Sequence, residues 1–463
     1  MTLIKSISGI RGTIGGNTGD NLTPLDVVKF TSAFAAIIKD ENFGKKIKFV
    51  VGRDARISGK MVEDLVVATL TGMGADVVNT GLSTTPTVEM AVLEHDADGG
   101  IIITASHNPK QWNALKLLNG AGEFISDKVG KKVLEMAENE DFYYVDVENL
   151  GHISKDETSI DKHIEKILKL DLVDTKTIEK ANFKIAVDAV NSTGGLAIPK
   201  LLKALGVKNI VELYCEPTGR FPHNPEPLPE NLKEISKVVK EQNCDLGVVV
   251  DPDVDRLALV TENGEMFGEE YTLVAVADYI LQKNPGNTVS NLSSTKALKD
   301  ITEKYGGKYF ASAVGEVNVV AKMKEVNAVI GGEGNGGVIF PELHYGRDAL
   351  VGVALFLTYL AEKKMKVSEL KNEYPQYHIS KNKVNLPPDT NLQALFEIVM
   401  QHFPDREIVT IDGVKIDFED GWVHLRASNT EPILRVYAEG RTPEMAENYA
   451  SQVIEVMDAI MNF

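Results

Sequence analysis

Cysteine is almost absent from this chain of 463 residues, which contains only Cys215 and Cys244. A disulfide framework is therefore excluded as the basis of the fold, and a reducing compartment fits the composition. Aromatic residues make up only 7% of the chain. No apolar run reaches the roughly 18 residues that a membrane-spanning helix needs, and Met1–Ser6 lacks the long apolar core of a secretory signal. We expect a cytoplasmic protein that does not span a membrane.

Positive charge is also scarce. The chain has 49 lysines and arginines but 67 aspartates and glutamates, which gives a net charge of -18. Broad nucleic-acid binding needs a basic surface, so no nucleic-acid partner is expected. A small anionic substrate is still compatible, since local arginines, lysines or a bound cation overcome a distant negative surface. The length of the chain predicts about three or four domains.

Short apolar runs rich in valine or isoleucine alternate with helical patterns along the chain. Five of these runs are Ile47–Val51, Gly100–Ile103, Lys184–Val187, Leu246–Val250 and Ala328–Ile330. This alternation predicts βα units with a largely parallel sheet in each of several domains, and it suits several copies of one α/β topology. Each run is followed at once by small or polar residues, where open α/β sheets bind their ligands.

Capping signals and loop signals divide the chain further. Thr23 and Thr442, each followed by proline, are typical of helix N-termini. Gly151–Ser159 and the proline-containing Asn372–Thr390 are interpreted as linkers, and Glu262–Glu265 as a hairpin turn. These signals predict four domains, with boundaries at residues 1–155, 156–260, 261–372 and 373–463.

Three alternate aspartates directly follow one of the buried runs. They are Asp251, Asp253 and Asp255. Alternate carboxylates on an extended loop can converge on one hard cation, and oxygen ligands suit Mg²⁺ or Ca²⁺. A solvated acidic turn is the plain alternative. An EF-hand would place Glu262 at loop position 12, but position 6 is Arg256 instead of glycine, and Leu257–Val260 is typical of a strand.

The segment Thr104–Pro109 places Ser106 in a tight loop just after another run, where it could be an exposed nucleophile. An ordinary turn would show the same residues. A serine hydrolase is a further alternative because His107 adjoins Ser106, but the Gly-x-Ser-x-Gly pattern is missing and sequence neighbours rarely have triad geometry. A serine near a carboxylate-bound cation fits phosphoryl transfer better, because the cation neutralises phosphate oxygens while Ser106 bears the phosphate.

Two further loops carry ligand-binding chemistry, although each alone could be a plain turn. Arg426–Pro432, with Arg435 beyond it, combines guanidinium, hydroxyl and amide groups that can hold a phosphate. Gly331–Gly337 allows close backbone approach to a ligand, and its Glu333 and Asn335 could form hydrogen bonds with sugar hydroxyls.

Taken together and in this order, these motifs resemble the α-D-phosphohexomutase family over the whole length of the chain. That family contains phosphoglucomutases, phosphomannomutases and phosphoglucosamine mutases. The resemblance implies an α/β protein of four domains around a central cleft, the first three of similar mixed α/β topology and the last a smaller α+β domain. It implies a mutase that interconverts hexose 6-phosphate and hexose 1-phosphate through a phosphoserine and a 1,6-bisphosphate intermediate.

The resemblance also implies roles for individual residues. The catalytic set is Ser106, as the phosphoserine, with Lys116, Arg11 and His107. One Mg²⁺ per chain would be bound by Ser106, Asp251, Asp253 and Asp255. Substrate contacts would come from Arg256, Glu333, Asn335, Arg426, Ser428, Asn429, Thr430 and Arg435. Lys116 would be the general acid/base, and we expect nearby positive charge to lower the pKa of Lys116.

The chain departs from the family pattern at several positions, and these departures bear on which sugar the enzyme prefers. Pro252 replaces a glycine of the metal loop, while Asn335 and Gly337 stand where the family usually has serine and histidine. Gly52–Gly59 looks closest to phosphoglucosamine mutases, and Glu316 would suit a substrate ammonium. The preferred reaction is therefore expected to convert glucosamine-6-phosphate to glucosamine-1-phosphate, with phosphomannomutase/phosphoglucomutase activity as the alternative.

Two other classes stay open from the sequence. A metal-dependent sugar phosphatase would use the same aspartates, and a non-catalytic sugar-phosphate binding protein would keep the site without turnover. For the mutase, a hexose 1,6-bisphosphate is the expected activator and a small phosphosugar the partner. The expected assembly is a monomer or homodimer.

Overall fold

The computed structural model describes residues 2–6, 9–387, 390–427 and 433–461, with only the backbone at 460 and 461. The chain divides into two compact units. The first comprises Met1–Tyr279 and Asn335–Leu370, and the second comprises Ile280–Gly334 and Lys371–Phe463. The predicted four-domain boundaries are a finer division than these two units and stay a prediction. No described helix combines the length and apolar composition needed to cross a membrane.

The first sheet, in the first unit, has seven strands in the order β1-β2-β6-β5-β3-β4-β7. These strands are β1 (Ile4–Ser6), β2 (Gly9–Thr13), β3 (Lys48–Arg53), β4 (Asp76–Leu82), β5 (Gly99–Ile103), β6 (Trp112–Asn119) and β7 (Ile153–Lys155). The helices of this segment are α1 (Pro24–Glu41), α2 (Gly59–Gly72), α3 (Thr85–Glu94) and α4 (Asp127–Asn139). Helix α1 begins at Pro24 because Thr23 and Asp26 form a capping box, which confirms the predicted start.

A four-stranded sheet of the same unit follows, in the order β11-β10-β8-β9. Its elements are α5 (Ser159–Leu168), α6 (Thr175–Ala181), β8 (Lys184–Asp188), α7 (Gly194–Ala204), β9 (Asn209–Leu213), α8 (Lys233–Glu241), β10 (Leu246–Val250) and β11 (Leu257–Thr261). The predicted turn at Glu262–Glu265 is confirmed, since Thr261 and Glu265 are joined by a backbone hydrogen bond of 2.8 Å.

The next elements carry the third set of parallel strands. They are α9 (Glu269–Lys283), β12 (Asn287–Asn291), α10 (Ala297–Lys304), β13 (Tyr309–Ser312), α11 (Glu316–Val326) and β14 (Ala328–Glu333). Strand β12 pairs in parallel with β13 on one side and β14 on the other. The order β14-β12-β13 repeats β5-β3-β4 and β10-β8-β9, which confirms three copies of one α/β topology. Three elements follow: β15 (Gly337–Ile339), α12 (Ala349–Lys363) and α13 (Val367–Asn372).

The C-terminal part of the second unit is an antiparallel sheet in the order β16-β20-β19-β18-β17. Its elements are β16 (His378–Asn385), α14 (Leu392–Gln401), β17 (Glu407–Val409), β18 (Val414–Phe418), β19 (Gly421–Ala427), β20 (Ile433–Gly440) and α15 (Pro443–Met461). One face packs its apolar side chains, such as Leu425 and Val436, against Val453 of α15. The alternate residues of β19 and β20 form a polar face, which confirms an α+β segment.

Two predicted linkers are wrong in part. Residues Ile153–Lys155, inside the predicted linker Gly151–Ser159, form β7 and pair in parallel with β4. Residues His378–Asn385, inside the predicted linker Asn372–Thr390, form β16 and pair with β20. Both are strands at an edge of their sheet, where backbone hydrogen bonds suffice and side chains can stay polar. Pro388 and Asp389 lie outside the described residues.

The predicted glycine loop also begins later than expected, because β14 continues through Gly331 and Gly332 to Glu333. A Cβ atom at Gly331 would lie 2.5 Å from the sulfur of Met323 in α11. Glycine therefore serves close helix–strand packing here, and Glu333 is held at the end of a strand.

Candidate active site

Ser106 occupies a strained position just after β5. Its φ of 47° lies in the left-handed region that side chains other than glycine seldom adopt. Its backbone N–H donates to Oγ1 of Thr104 at 2.9 Å, and its own Oγ donates to Oδ2 of Asp251 at 2.6 Å. Strain of this kind persists only where surrounding contacts impose it, which is typical of a functional loop.

Arg56 supplies those surrounding contacts, and it was not among the predicted site residues. Its side chain is fully buried. Its terminal nitrogens donate to four backbone carbonyl groups of the serine loop, those of Ser106, Asn108, Pro109 and Trp112. Its Nε donates to Oδ2 of Asp54 at 3.0 Å. The only signal in the sequence was the pair Asp54-x-Arg56 directly after a strand.

The three aspartates after β10 are fully buried and offer carboxylate oxygens within 4.8 Å of one another. Thr85, in the first turn of α3, donates its hydroxyl to Oδ2 of Asp253 at 2.6 Å. Burial, followed by the charges of Asp253 and Asp255, raises the pKa of Asp251 well above its usual range. The buried Oδ1 atoms of Asp253 and Asp255 have no hydrogen-bond partner among the described residues. This donor set fits a divalent cation such as Mg²⁺.

Lys116, on β6, lies against the same aspartates. Its Nζ is 2.7 Å from Oδ2 of Asp253 and 3.3 Å from Oδ2 of Asp255. Arg347 also reaches Asp255, with Nη2 at 2.7 Å from Oδ2. Burial opposes protonation of Lys116, but the two carboxylates outweigh it and raise the pKa of Lys116. The expected lowering of this pKa is therefore wrong, because the nearest charges are negative.

His107 lies beside Ser106, and nearby arginines affect its charge state. Nδ1 of His107 is 3.4 Å from Oγ of Ser106. Burial, then the positive charge of Arg256, with smaller contributions from Arg11 and Arg347, holds the pKa of His107 well below its usual range. The imidazole is therefore neutral near pH 7. The first unit thus brings together all four predicted catalytic residues with the predicted metal ligands and Arg256.

The predicted sugar loop falls on both sides of a unit boundary. In the second unit, Oε1 of Glu333 accepts hydrogen bonds from Nδ2 of Asn291 at 2.8 Å and from the N–H of Gly315 at 3.1 Å. In the first unit, Oδ1 of Asn335 accepts from the N–H of Gly337 at 3.2 Å. Each of the two side chains is thus held by hydrogen bonds within its own unit.

Cationic side chains form a row across three strands of the C-terminal sheet. Arg426 on β19 lies directly opposite Arg435 on β20, and Arg435 lies opposite Lys383 on β16. Directly paired residues point to one face of a sheet, and like charges there repel unless an anion compensates them. This row fits a phosphate site. Ser428, Asn429 and Thr430 lie outside the described residues. Lys383 was missed because β16 was interpreted as a linker.

A second buried cluster lies elsewhere in the first unit. Oδ2 of Asp348 is 2.9 Å from Nε2 of His163 and 3.3 Å from Nε2 of His344, while its Oδ1 caps α12. Nδ1 of His163 forms a hydrogen bond of 2.9 Å with Oγ1 of Thr87. These contacts join α3, α5 and α12, so we interpret the cluster as structural.

Asp348→Asn is expected to lower the unfolding temperature, because it keeps the cap but removes a buried charge worth about 3 kcal/mol at pH 7. Burial opposes ionisation, but the two imidazoles hold the pKa of Asp348 well below its usual range. A lowered folded-state pKa stabilises the protein above the unfolded-state value near 3.9, and this stabilisation is lost as the pH falls below it. Differential scanning calorimetry should show that the difference in unfolding temperature between wild type and variant becomes smaller below about pH 4.

The matched control for this measurement is Asp161→Asn, whose ion pair with Lys200 is about half exposed. It should stay within about 0.5 kcal/mol of wild type. If the difference in unfolding temperature between wild type and Asp348→Asn were constant between pH 3 and pH 7, the proposed role of the Asp348 charge would be contradicted.

Comparison with known proteins agrees with the fold. Models of the phosphoglucomutase/phosphomannomutase family match the chain at residues 3–144 (alpha/beta/alpha domain I), 161–264 (domain II), 268–377 (domain III) and 381–456 (C-terminal domain). The chain is 36% identical over 451 residues to a phosphoglucomutase/phosphomannomutase of Thermococcus kodakarensis, covering 96% of this chain and 98% of that one.

Two further similar proteins span nearly the whole chain. A phosphoglucosamine/phosphogalactosamine mutase of Sulfurisphaera tokodaii is 31% identical, with 99% of this chain and 100% of that protein covered. The crystal structure of a phosphoglucomutase/phosphomannomutase family protein from Burkholderia thailandensis superposes with a TM-score of 0.86 at 27% identity, covering 99% of this chain and 98% of that one.

The family models and these relatives define an intramolecular phosphotransferase, an isomerase. The chain belongs to the α-D-phosphohexomutase family, with three mixed α/β domains and a smaller C-terminal α+β domain.

Proposed function

We propose that this enzyme interconverts hexose 6-phosphates and hexose 1-phosphates, with glucosamine-6-phosphate and glucosamine-1-phosphate as its preferred pair. The observation that carries the mutase chemistry is the 2.6 Å contact of Oγ of Ser106 with Asp251, beside two buried carboxylate oxygens that no described residue satisfies. A serine held against a cation-binding cluster is arranged to carry a phosphoryl group.

In the first half-reaction, a substrate hydroxyl attacks phosphorus on phospho-Ser106 and the bond from phosphorus to Oγ breaks. His107, the neutral imidazole 3.4 Å from Oγ, accepts the proton of the hydroxyl. Lys116, kept protonated by two carboxylates, gives its proton to Oγ. The second half-reaction reverses these transfers with the other phosphoryl group of the bisphosphate. Positive charge from Arg11 and Arg256 stabilises the transferring group.

Asp251, Asp253 and Asp255, with an oxygen of Ser106 or its phosphate, would hold the proposed Mg²⁺. When bound, the ion supplies charge neutralisation for the phosphoryl oxygens. The fit is supported by three buried carboxylates around one point, of which Asp253 is ion-paired with Lys116 and Asp255 with Arg347.

The sugar preference is proposed from the second unit. Glu333 is fixed by two donors, and Glu316 is buried in the first turn of α11, directly after Gly315, which donates to Glu333. Carboxylates from these two residues would suit an ammonium at C2 of the sugar. The name of the Sulfurisphaera relative, a phosphoglucosamine/phosphogalactosamine mutase, supports this choice. The name of the Thermococcus relative supports glucose and mannose phosphates as the alternative.

The test compares turnover of glucosamine-, glucose- and mannose-6-phosphate, each primed with its 1,6-bisphosphate, in Mg²⁺ and in EDTA. We expect the highest kcat/KM for the glucosamine compound and loss of turnover in EDTA that Mg²⁺ restores. Release of inorganic phosphate faster than isomer formation would instead indicate a phosphatase. Binding of all three sugars without any turnover would indicate a binding protein.

We also propose a cytoplasmic location, supported by the two free cysteines Cys215 and Cys244. The hexose 1,6-bisphosphate is proposed as the activator, because it would phosphorylate Ser106. A monomer or homodimer stays the prediction for its assembly.

A further inference from the structure

Asp412 lies in the loop between β17 and β18 of the second unit and joins two parts of the proposed substrate site. Its Oδ2 accepts a hydrogen bond from the backbone N–H of Val314 at 3.0 Å. The same oxygen is 3.2 Å from Nε of Arg426. One carboxylate oxygen therefore holds both the segment that leads into α11 and the arginine of the proposed phosphate site.

The backbone of Asp412 is itself fixed by a buried histidine. Nε2 of His424 lies 2.7 Å from the carbonyl oxygen of Asp412, and Nδ1 lies 2.8 Å from Oγ of Ser293. A carbonyl group only accepts hydrogen bonds, so Nε2 carries the hydrogen and Nδ1 accepts from the serine. Burial lowers the pKa of His424 to about 4, so this neutral tautomer persists at physiological pH.

Asp412 contacts Val314 and His424 contacts Ser293. Residues close to these two in the chain form hydrogen bonds with Glu333. Gly315, the residue after Val314, donates its N–H to Oε1 of Glu333 at 3.1 Å. Asn291, two residues before Ser293, donates its side-chain amide to the same oxygen at 2.8 Å. Hydrogen bonds thus connect Arg426, at one end, to the proposed sugar-binding carboxylate, at the other, within a single compact unit.

The ion pair also orients Arg426. Arg426 is directly opposite Arg435, and two neighbouring guanidinium groups repel one another. A contact through Nε pins the guanidinium plane and leaves the fork of Nη1 and Nη2 as the donors that suit a phosphate. The two paired side chains are each about a quarter exposed, so a substrate can reach the arginine.

We propose that Asp412 is a positioning residue that holds Arg426 ready for the substrate phosphate and couples it to the loop that holds Glu333. This inference rests on the proposed function, because it takes Arg426 and Glu333 as substrate contacts. Asp412 acts through these residues and touches no reacting atom. The opposite possibility is that its negative charge merely repels phosphate, and the two predict opposite changes in affinity.

The test uses Asp412→Asn in the full-length enzyme, since asparagine keeps an acceptor for Val314 but loses the charge that orients Arg426. We expect KM for the hexose 6-phosphate to rise about tenfold, with kcat within about threefold and the unfolding temperature unchanged. The dissociation constant of inorganic phosphate, measured by calorimetry, should rise by a similar factor. The control is Asp405→Asn, which removes an exposed carboxylate from the same unit and should leave every value unchanged.

Unchanged or tighter phosphate binding in Asp412→Asn would overturn the inference, as would a fall in kcat with KM constant. If the wild type binds phosphate but does not interconvert hexose phosphates, the proposed function fails, while weaker phosphate binding by the variant would still support the positioning role. If the wild type turns over and the variant matches it in KM, the positioning role alone fails.

Discussion

Ser106→Ala is expected to lower mutase turnover by at least about 10⁴-fold, because the proposed mechanism carries the phosphoryl group on the Ser106 hydroxyl between the two half-reactions. The hydroxyl donates to Oδ2 of Asp251, so its removal costs one hydrogen bond while Arg56 continues to hold the loop. The unfolding temperature should therefore change little. A coupled assay of hexose 1-phosphate formation measures the loss.

Mass spectrometry provides a second readout for the same prediction. Wild-type protein incubated with hexose 1,6-bisphosphate should gain one phosphoryl group that maps to Ser106, and the alanine variant should gain none. Ser451→Ala, on α15, is the control and should keep full activity. Residual turnover above about 1% of wild type, or a phosphoryl group on another residue, would remove Ser106 from its proposed role.

Arg56→Met is expected to cost about 3–5 kcal/mol of stability and at least about 100-fold in turnover. Four backbone carbonyl groups of the serine loop lose their donor, and Asp54 is left buried without its partner. Burial already raises the pKa of Asp54, so an uncompensated charge there is costly. Thermal unfolding and hydrogen exchange of residues 104–112 measure the two consequences.

Arg56→Lys separates charge from geometry, because one ammonium group cannot reach four carbonyl groups and Asp54 together. It should recover part of the stability but little of the turnover. Arg220→Met, at an exposed position, is the matched control and should resemble wild type. If Arg56→Met kept full activity, the serine loop would hold its strained conformation without this arginine.

Local patterns were sufficient for much of the fold. The strand Leu246–Val250 was predicted with its observed bounds, and the N-cap Thr23 was confirmed by its capping box. Strand and helix starts depend on residues adjacent in sequence, so a single chain carries enough information. Edge strand β16 was missed because its residues alternate between exposed and half-buried positions and are mostly polar. Its pairing with β20 depends on a strand about 50 residues away.

The residues of the candidate site also divide into those that local sequence patterns predicted and those that only the folded structure revealed. Ser106 and the three aspartates were predicted because each motif is a short run of reactive side chains after a strand, a chemistry that is local in sequence. Arg56 was not, because an arginine that serves four carbonyl groups looks like any other arginine until the loop folds around it. Lys383 likewise gains its place only through the register of three strands.

By itself, the sequence determined the class of fold and predicted the candidate nucleophile and the candidate cation-binding loop, because these follow from periodicity and from clusters of adjacent residues. Only the tertiary structure decided the state of Lys116: Asp253 and Asp255, more than 130 positions away in the chain, lie within 3.3 Å of its ammonium and keep it protonated. The charge state of a buried group depends on its neighbours in space, and distance along the chain does not reveal them.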